Sequence, residues 1–217
     1  MNSPDLTFTI ETAGALRFAV TPHIVFKLSV ANDSPQTIHT IILRAQVQID
    51  VSRRRYNADE QRRLSDLFGP PAQWGETLRS MLWTNTSIVV PSFEFRTAVD
   101  LQVPCTFDFN AAATKYFSGI EGGEVPVSFY FNGTVFYAGE EGVLQATHIS
   151  WDKEASYRMP VQVWRELMDT YYPNVAWLSL RRDVFDRLYE YKVRHGLPTF
   201  EEALMNILEN KAEARTA

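Results

Sequence analysis

The chain has 217 residues, 45% of them apolar and 22% charged, which is enough for one large domain with a buried core. Its 26 acidic and 21 basic side chains give a net charge of −5. This balance argues against general nucleic-acid binding, because affinity for phosphates comes mainly from clustered Lys and Arg. The single cysteine, Cys105, excludes an internal disulfide and any site with several cysteine ligands.

The N-terminal residues have neither the basic region nor the apolar core of a signal peptide. No apolar run approaches the roughly 20 residues that are needed to span a bilayer. We therefore expect a cytoplasmic protein without membrane insertion, in which Cys105 is a buried, unreactive thiol.

Alternating apolar residues predict β-strands in the first half of the chain. Residues 24–30 and 38–51 alternate in this way, and the turn-forming residues Asn32–Pro35 lie between them. The pattern predicts a β-hairpin here. Two further strands are expected at residues 82–90 and 97–103.

A helical insertion is expected at residues 57–78. Asn57 and Glu60 have the spacing of a capping box, and apolar residues follow at helical spacing until Gly69 and two prolines. Asn110 is a candidate N-cap for a short helix at residues 111–118.

The stretch from 125 to 149 contains the most specific local signal. Alternating apolar residues lead to Asn132-Gly133, the preferred pair for a type I′ turn. We predict a hairpin at this pair and a third strand at residues 143–149.

After Pro160 the apolar spacing becomes helical. Helices are predicted at residues 161–171 and 183–195 and from residue 199, with a frayed polar tail from about residue 209. The predicted fold is therefore α+β: an antiparallel β-sandwich-like body over residues 1–159, with the insertion near 57–78. A C-terminal helical segment, residues 160–217, is expected to pack on this body within one domain.

No arrangement of residues predicts catalysis, a cofactor or a metal. The four histidines lack short ligand spacing, and the chain has neither a nucleophile elbow nor a phosphate-binding glycine motif.

A basic cluster is the first candidate site for a protein partner. It contains Arg53, Arg54, Arg55, Tyr56 and Arg62, followed by Arg63. The alternative is a solvated charged surface neutralised in part by Asp59 and Glu60. As a site, it would dock an acidic protein surface or a phosphate-bearing ligand.

An aromatic segment is the second candidate site. It contains Trp151, Asp152, Lys153, Trp164 and Arg165. Trp, Tyr and Arg are the residues that most often anchor protein interfaces. In the alternative interpretation, Trp151 and Trp164 only fasten the helices to the sheet.

Nearly the whole chain resembles an actinobacterial and acidobacterial family labelled as a domain of unknown function. The resemblance rests on these segments: 53–56, 67–69, 74–75, 103–105, 112–114 with 116–117, 131–136, 151–154, 163–165, 172–174 and 177–178. Members of that family look like neighbours of high-affinity [NiFe]-hydrogenase genes. The resemblance implies an accessory role with a hydrogenase subunit or maturation factor as partner, and it transfers no catalytic residue.

The leading hypothesis is thus a non-enzymatic accessory protein that binds a protein partner. The alternative is a small-ligand-binding protein with a cleft between sheet and helices. A third hypothesis is an enzyme whose residues converge from distant positions.

Overall fold

The computed structural model describes residues 3–106, 110–139, 142–175, 178 and 180–216. The strands within these ranges are β1 Leu6–Ala15, β2 His23–Asn32, β3 Ile38–Ile49, β4 Met81–Val90, β5 Arg96–Pro104, β6 Glu124–Ala138, β7 Leu144–His148 and β8 Glu154–Pro160. The α-helices are α1 Ala58–Phe68, α2 Trp74–Thr77, α3 Ala111–Gly119, α4 Val161–Tyr171, α5 Arg182–Arg194 and α6 Phe200–Thr216. The chain forms two compact units, Met1–Asn174 and Val175–Ala217.

The first unit contains two antiparallel sheets. One has the strand order β1-β2-β5, and the other has the order β4-β3-β6-β7 with β8 also paired to β6. Every second residue is buried in β2 from Ile24 and in β3 from Ile41, as expected for strands with one face on a shared core. The predicted α+β class with a sandwich-like body is confirmed.

The predicted hairpin between residues 24–30 and 38–51 is wrong. These strands are β2 and β3, and they belong to different sheets. Asn32 holds the connecting loop, since its side-chain Nδ2 donates to the carbonyl oxygens of Gln36 (2.7 Å) and Glu94 (2.9 Å). The loop therefore crosses between the sheets. Two segments of alternating apolar residues joined by a turn have the same sequence pattern in a hairpin and in such a crossover, so the pattern could not distinguish them.

The predicted type I′ turn at Asn132-Gly133 is also wrong, because β6 runs straight through both residues. Gly133 pairs with Leu43 of β3 and has a φ of 144°. A Cβ atom at this glycine would lie 2.0 Å from the carbonyl oxygen of Ile42. Glycine is thus required here because two strands approach closely, which is a common reason for a glycine within a strand.

The helical insertion is confirmed and begins as predicted. The Asn57 side chain accepts from the Glu60 N–H (2.8 Å), and the Glu60 carboxylate accepts from the Asn57 N–H (3.1 Å). Asn110 caps α3 by accepting from the Ala113 N–H at 2.9 Å.

Helix α4 belongs to the first unit. Its Trp164 is buried and stacks on Phe117 of α3, with ring centroids 4.4 Å apart. The predicted segment 160–217 therefore divides between the two units. No helix in the part of the chain that the structure describes has the length and apolar character for crossing a membrane.

The second unit contains α5 and α6. The Phe185 and Phe200 rings lie 5.3 Å apart, and the Tyr191 hydroxyl donates to the Asn206 side chain. The expected fraying from about residue 209 is not observed, because α6 continues to Thr216. Glu, Lys, Ala and Arg predominate there, and all four are good helix formers.

Candidate functional site

The structure separates the members of the basic cluster. Arg53, Arg55 and Arg62 are exposed, and Arg62 pairs with Asp59 one turn earlier in the sequence. Arg54 is different, since only 9% of its side chain is exposed. The exposed arginines remain a predicted docking surface, whereas Arg54 lies inside the fold.

Arg54 is held by a buried ion pair. Its Nη2 donates to Oε1 of Glu60 (2.7 Å) and to the carbonyl oxygen of Gly122 (2.6 Å). Burial of Glu60 opposes ionisation, but donation from Arg54 and from the Glu121 and Asn57 N–H groups outweighs it and lowers the pKa of the carboxyl. This pair therefore joins the start of α1 to the segment between α3 and β6.

Tyr56 lies beside this ion pair, and its hydroxyl is hydrogen-bonded within the fold. Its hydroxyl donates to the Val51 carbonyl oxygen (2.7 Å), so the Tyr116 hydroxyl, 3.1 Å away, donates to Tyr56. Burial raises the pKa of both tyrosines. The Arg54 guanidinium lies 5.1 Å from the centre of the Tyr56 ring, in cation–π geometry.

Arginines from both predicted sites meet at residues 120–122. Arg63 of α1 forms an ion pair with the Glu121 carboxylate. Arg165 of α4 donates to the Ile120 carbonyl oxygen at 3.2 Å. Arg54 donates to the Gly122 carbonyl oxygen of the same segment. The fold thus brings Arg165 towards the basic cluster, where these contacts connect helices α1, α3 and α4.

Trp151 lies elsewhere, on the turn between β7 and β8, and 91% of it is exposed. The turn is fixed by the 2.7 Å ion pair of Lys153 with Asp5 and by donation from the Phe131 N–H to the Lys153 carbonyl oxygen. A hydrogen bond with Ser150 lowers the pKa of Asp152. The fastening interpretation is therefore correct for Trp164 and wrong for Trp151.

A third surface was not predicted from the sequence. The loop of residues 16–22 joins β1 to β2, and it carries Phe18 and Val20 with fully exposed side chains. We call these two residues the apolar tip. Arg17 beside them is also exposed.

Tyr171, at the end of α4, holds the backbone of this loop. Its hydroxyl accepts from the Ala19 N–H at 3.1 Å. It also lies 3.0 Å from the Ala19 carbonyl oxygen and 3.1 Å from that of Leu16, which share its single proton. Helix α4 thus fixes the middle of the loop. At the base of the loop, the Leu16 N–H donates to the His23 carbonyl oxygen.

Phe18 has a φ of 63°, in the left-handed region that a bulky side chain rarely adopts. Such a conformation costs about 1–3 kcal/mol and persists only where surrounding contacts impose it. Here the Tyr171 contacts impose it and direct Phe18 into solvent. No pattern in the sequence predicts this exposed loop, because Phe and Val are typical strand residues and the N-terminal region looks strand-like.

The apolar tip and Trp151 are far apart. The Trp151 turn is joined to Asp5, just before β1, whereas the tip directly follows β1. The ten residues of β1 span about 33 Å. One small partner surface therefore cannot contact both.

The remaining features are possible metal-ligand clusters and surface grooves. Among the residues that the structure describes, no three His, Cys, Asp or Glu side chains are grouped as metal ligands. A groove of about 380 Å³ on the outer face of the larger sheet is lined by polar side chains that include Arg44, Asn85 and Asn132.

Comparisons with known proteins give limited similarity at the level of structure. A β-glucosidase from Kluyveromyces marxianus aligns with 10% identity and a TM-score of 0.28, covering 72% of this chain and 15% of that chain. β-Glucosidase 3B from Thermotoga neapolitana, in complex with α-D-glucose, aligns with 10% identity and a TM-score of 0.26, covering 71% and 17%. The chain therefore spans less than a fifth of either enzyme. No curated protein matches the sequence. The model of the family of unknown function DUF6084 matches residues 3–216, and the chain belongs to this family.

Proposed function

We propose that this chain is a non-enzymatic accessory protein that binds a protein partner through the apolar tip. The observation that supports this is the conformation of Phe18, which is fully exposed although its backbone is strained. A loop without the Tyr171 contacts would relax to an unstrained φ. Keeping the strained conformation therefore suggests a use for the exposed ring.

The tip has the properties of a preorganised anchor. Its backbone is fixed before binding by Tyr171, so little conformational entropy is lost when a partner covers it. A large ring that enters a pocket contributes much of the energy of a typical interface. Arg17 beside the ring favours a partner pocket with an acidic rim.

The resemblance to a family whose members look like neighbours of [NiFe]-hydrogenase genes supports a hydrogenase subunit or maturation factor as the partner. We propose the cytoplasm as the place where the two meet. In this proposal the exposed Arg53, Arg55 and Arg62 are a separate charged surface. Trp151 with Lys153 is a further contact region. Neither is needed for contact at the tip, so a variant at Trp151 serves as the control for the test of the tip.

The test is affinity capture of the tagged full-length chain from the organism that encodes it, with mass spectrometry of the captured proteins. Wild type is compared with the double variant Phe18→Asp/Val20→Ser and with Trp151→Ala. We expect hydrogenase subunits or maturation factors with the wild type, at least tenfold less with the double variant, and near wild-type recovery with Trp151→Ala.

Recovery of none of these proteins with the wild type would reject a stable hydrogenase-related partner. Equal recovery with the double variant would reject the tip as the docking surface. Because both substituted side chains are fully exposed, circular dichroism and thermal unfolding should show that the variant is folded.

A further inference from the structure

Strand β7 leaves one side of the larger sheet open. Residues Leu144–His148 pair with β6 on one side. No other strand within the described ranges pairs with the second side of β7. Backbone groups on that side are therefore available to another chain.

The alternation of hydrogen bonds along the strand shows which backbone groups point outward. Just before β7, the N–H of Gly139, which follows β6, donates to the Val143 carbonyl oxygen (2.8 Å), and just after β7, the Ile149 N–H donates to the Gly133 carbonyl oxygen (3.0 Å). Val143 and Ile149 therefore bond inward, towards β6. Inward and outward bonding alternate along an antiparallel strand. The residues whose N–H and C=O groups point outward are thus Leu144, Ala146 and His148.

This edge lacks the usual protection against pairing. Natural edge strands are commonly blocked by charged residues, proline or a bulge. The sequence of β7 is Leu-Gln-Ala-Thr-His, with neither proline nor a Lys, Arg, Asp or Glu. Its register with β6 is also unbroken.

The outer face beside this edge is apolar, although the solvent face of a sheet is normally polar. A shallow groove of about 410 Å³ is lined there by His39, Thr40, Phe136 and Leu144. Leu144 is exposed. An added strand would cover the rim of this groove.

We propose that a second copy of this chain is the occupant, with the two β7 strands paired antiparallel about a twofold axis at Ala146. In this register Leu144 faces His148 of the second copy, and Ala146 faces its own equivalent. All three facing pairs are outward-bonding residues, so each exchanges two backbone hydrogen bonds. The small alanine side chain allows close approach at the axis.

The absence of charged side chains on β7 lets two acidic copies pair at this position. Each copy has a net charge of −5, so most contacts between copies bring repulsion. Neither β7 nor the facing part of β6, residues 134–138, contains a charged side chain. Within residues 134–138 and 144–148, pairing of two copies therefore brings no like charges into contact.

The size of the contact predicts a weak dimer. A strand of five residues is about 17 Å long, and its pairing buries less than the roughly 1,600 Å² of a standard interface. We expect dissociation in the micromolar range, with a monomer at low protein concentration.

Sedimentation velocity of the full-length chain over a wide concentration range tests this pairing. Ala146→Pro removes an outward N–H, so it should disrupt the dimer while keeping the bonds to β6. Two bonds are lost at the axis, and the dissociation constant should rise by about tenfold or more.

Leu144→Lys is a second variant that keeps every backbone group and places like charges at the edge. The matched control is Leu82→Lys, an exposed leucine on β4 at the opposite edge of the same sheet. We expect dissociation with Leu144→Lys and unchanged dimerisation with Leu82→Lys.

A wild-type chain that stays monomeric at every concentration would overturn the proposal. So would a dimer that Leu144→Lys and Leu82→Lys weaken equally. If Ala146→Pro does not fold, Leu144→Lys still decides the result.

Discussion

The side chains of Arg54 and Glu60 form an ion pair of 2.7 Å in which 9% and 5% of the two side chains are exposed. A charge taken out of water in this way is stable only while its partner is present. The pair therefore places Arg54 among the residues that maintain the fold, although the sequence presents it as one of three adjacent arginines.

Glu60→Gln should destabilise the chain by about 3–5 kcal/mol, because it leaves the buried guanidinium without a counter-charge while keeping the shape of the side chain. Urea unfolding followed by tryptophan fluorescence measures the change. The control is Asp59→Asn at the exposed neighbouring residue, where we expect a change below about 0.5 kcal/mol. Equal stability of wild type and Glu60→Gln would contradict the assignment.

The same pair predicts a pH dependence. The pKa of Glu60 is lower in the folded chain than its ordinary value of 4.5. Its contribution to stability is thus complete above that ordinary value and is lost as pH falls through the folded pKa. The difference in unfolding free energy between wild type and Glu60→Gln should be constant near neutral pH and shrink in acid. A difference that grows in acid would contradict this sign.

Gly133→Ala should cost about 3 kcal/mol or more, because the new Cβ would meet the Ile42 carbonyl oxygen and φ is positive. Gly75→Ala in α2 is the matched control. A Cβ there has no neighbour within 4 Å, so this change should be neutral or slightly stabilising. Thermal unfolding of both variants measures the contrast, and similar melting temperatures would contradict the close approach of Gly133 to the Ile42 carbonyl oxygen.

Cys105 should be unreactive in the folded chain. Burial raises the pKa of its thiol to about 12, so little thiolate is present at pH 8. We expect almost no reaction with a disulfide reagent at that pH and reaction of one thiol per chain after addition of guanidinium chloride. Rapid stoichiometric reaction without denaturant would show that the thiol is accessible.

Tyr171→Phe should loosen the loop that carries the apolar tip. The hydroxyl contacts three backbone groups, and its removal should cost about 1–2 kcal/mol. Hydrogen exchange of the Ala19 amide should accelerate by about tenfold. Tyr130→Phe, at an exposed tyrosine of β6, should leave this amide unchanged. Unchanged exchange in Tyr171→Phe would show that other contacts fix the loop.

Local signals in the sequence predicted the helix boundaries well. Asn57 and Asn110 cap α1 and α3 because side-chain capping depends on residues only three positions apart. Strand pairing depends on distant partners. The sequence therefore predicted β2 and β3 as strands but assigned them wrongly to one hairpin.

The candidate site was harder to predict, because exposure is decided by tertiary packing. Arg54 and Arg55 are adjacent and chemically alike, yet only Arg54 meets Glu60 and Gly122. Trp151 and Trp164 are likewise the same residue type, yet only Trp164 is buried. The apolar tip depends on Tyr171, which is more than 150 positions away in the sequence.

Phe18→Gly gives the most direct test of the proposed docking function, because binding and stability should change in opposite directions. Glycine adopts a φ of 63° without strain, so the melting temperature should rise or stay constant. Recovery of hydrogenase-related proteins in affinity capture should fall by at least tenfold. Wild-type recovery with an unchanged or higher melting temperature would contradict docking through Phe18.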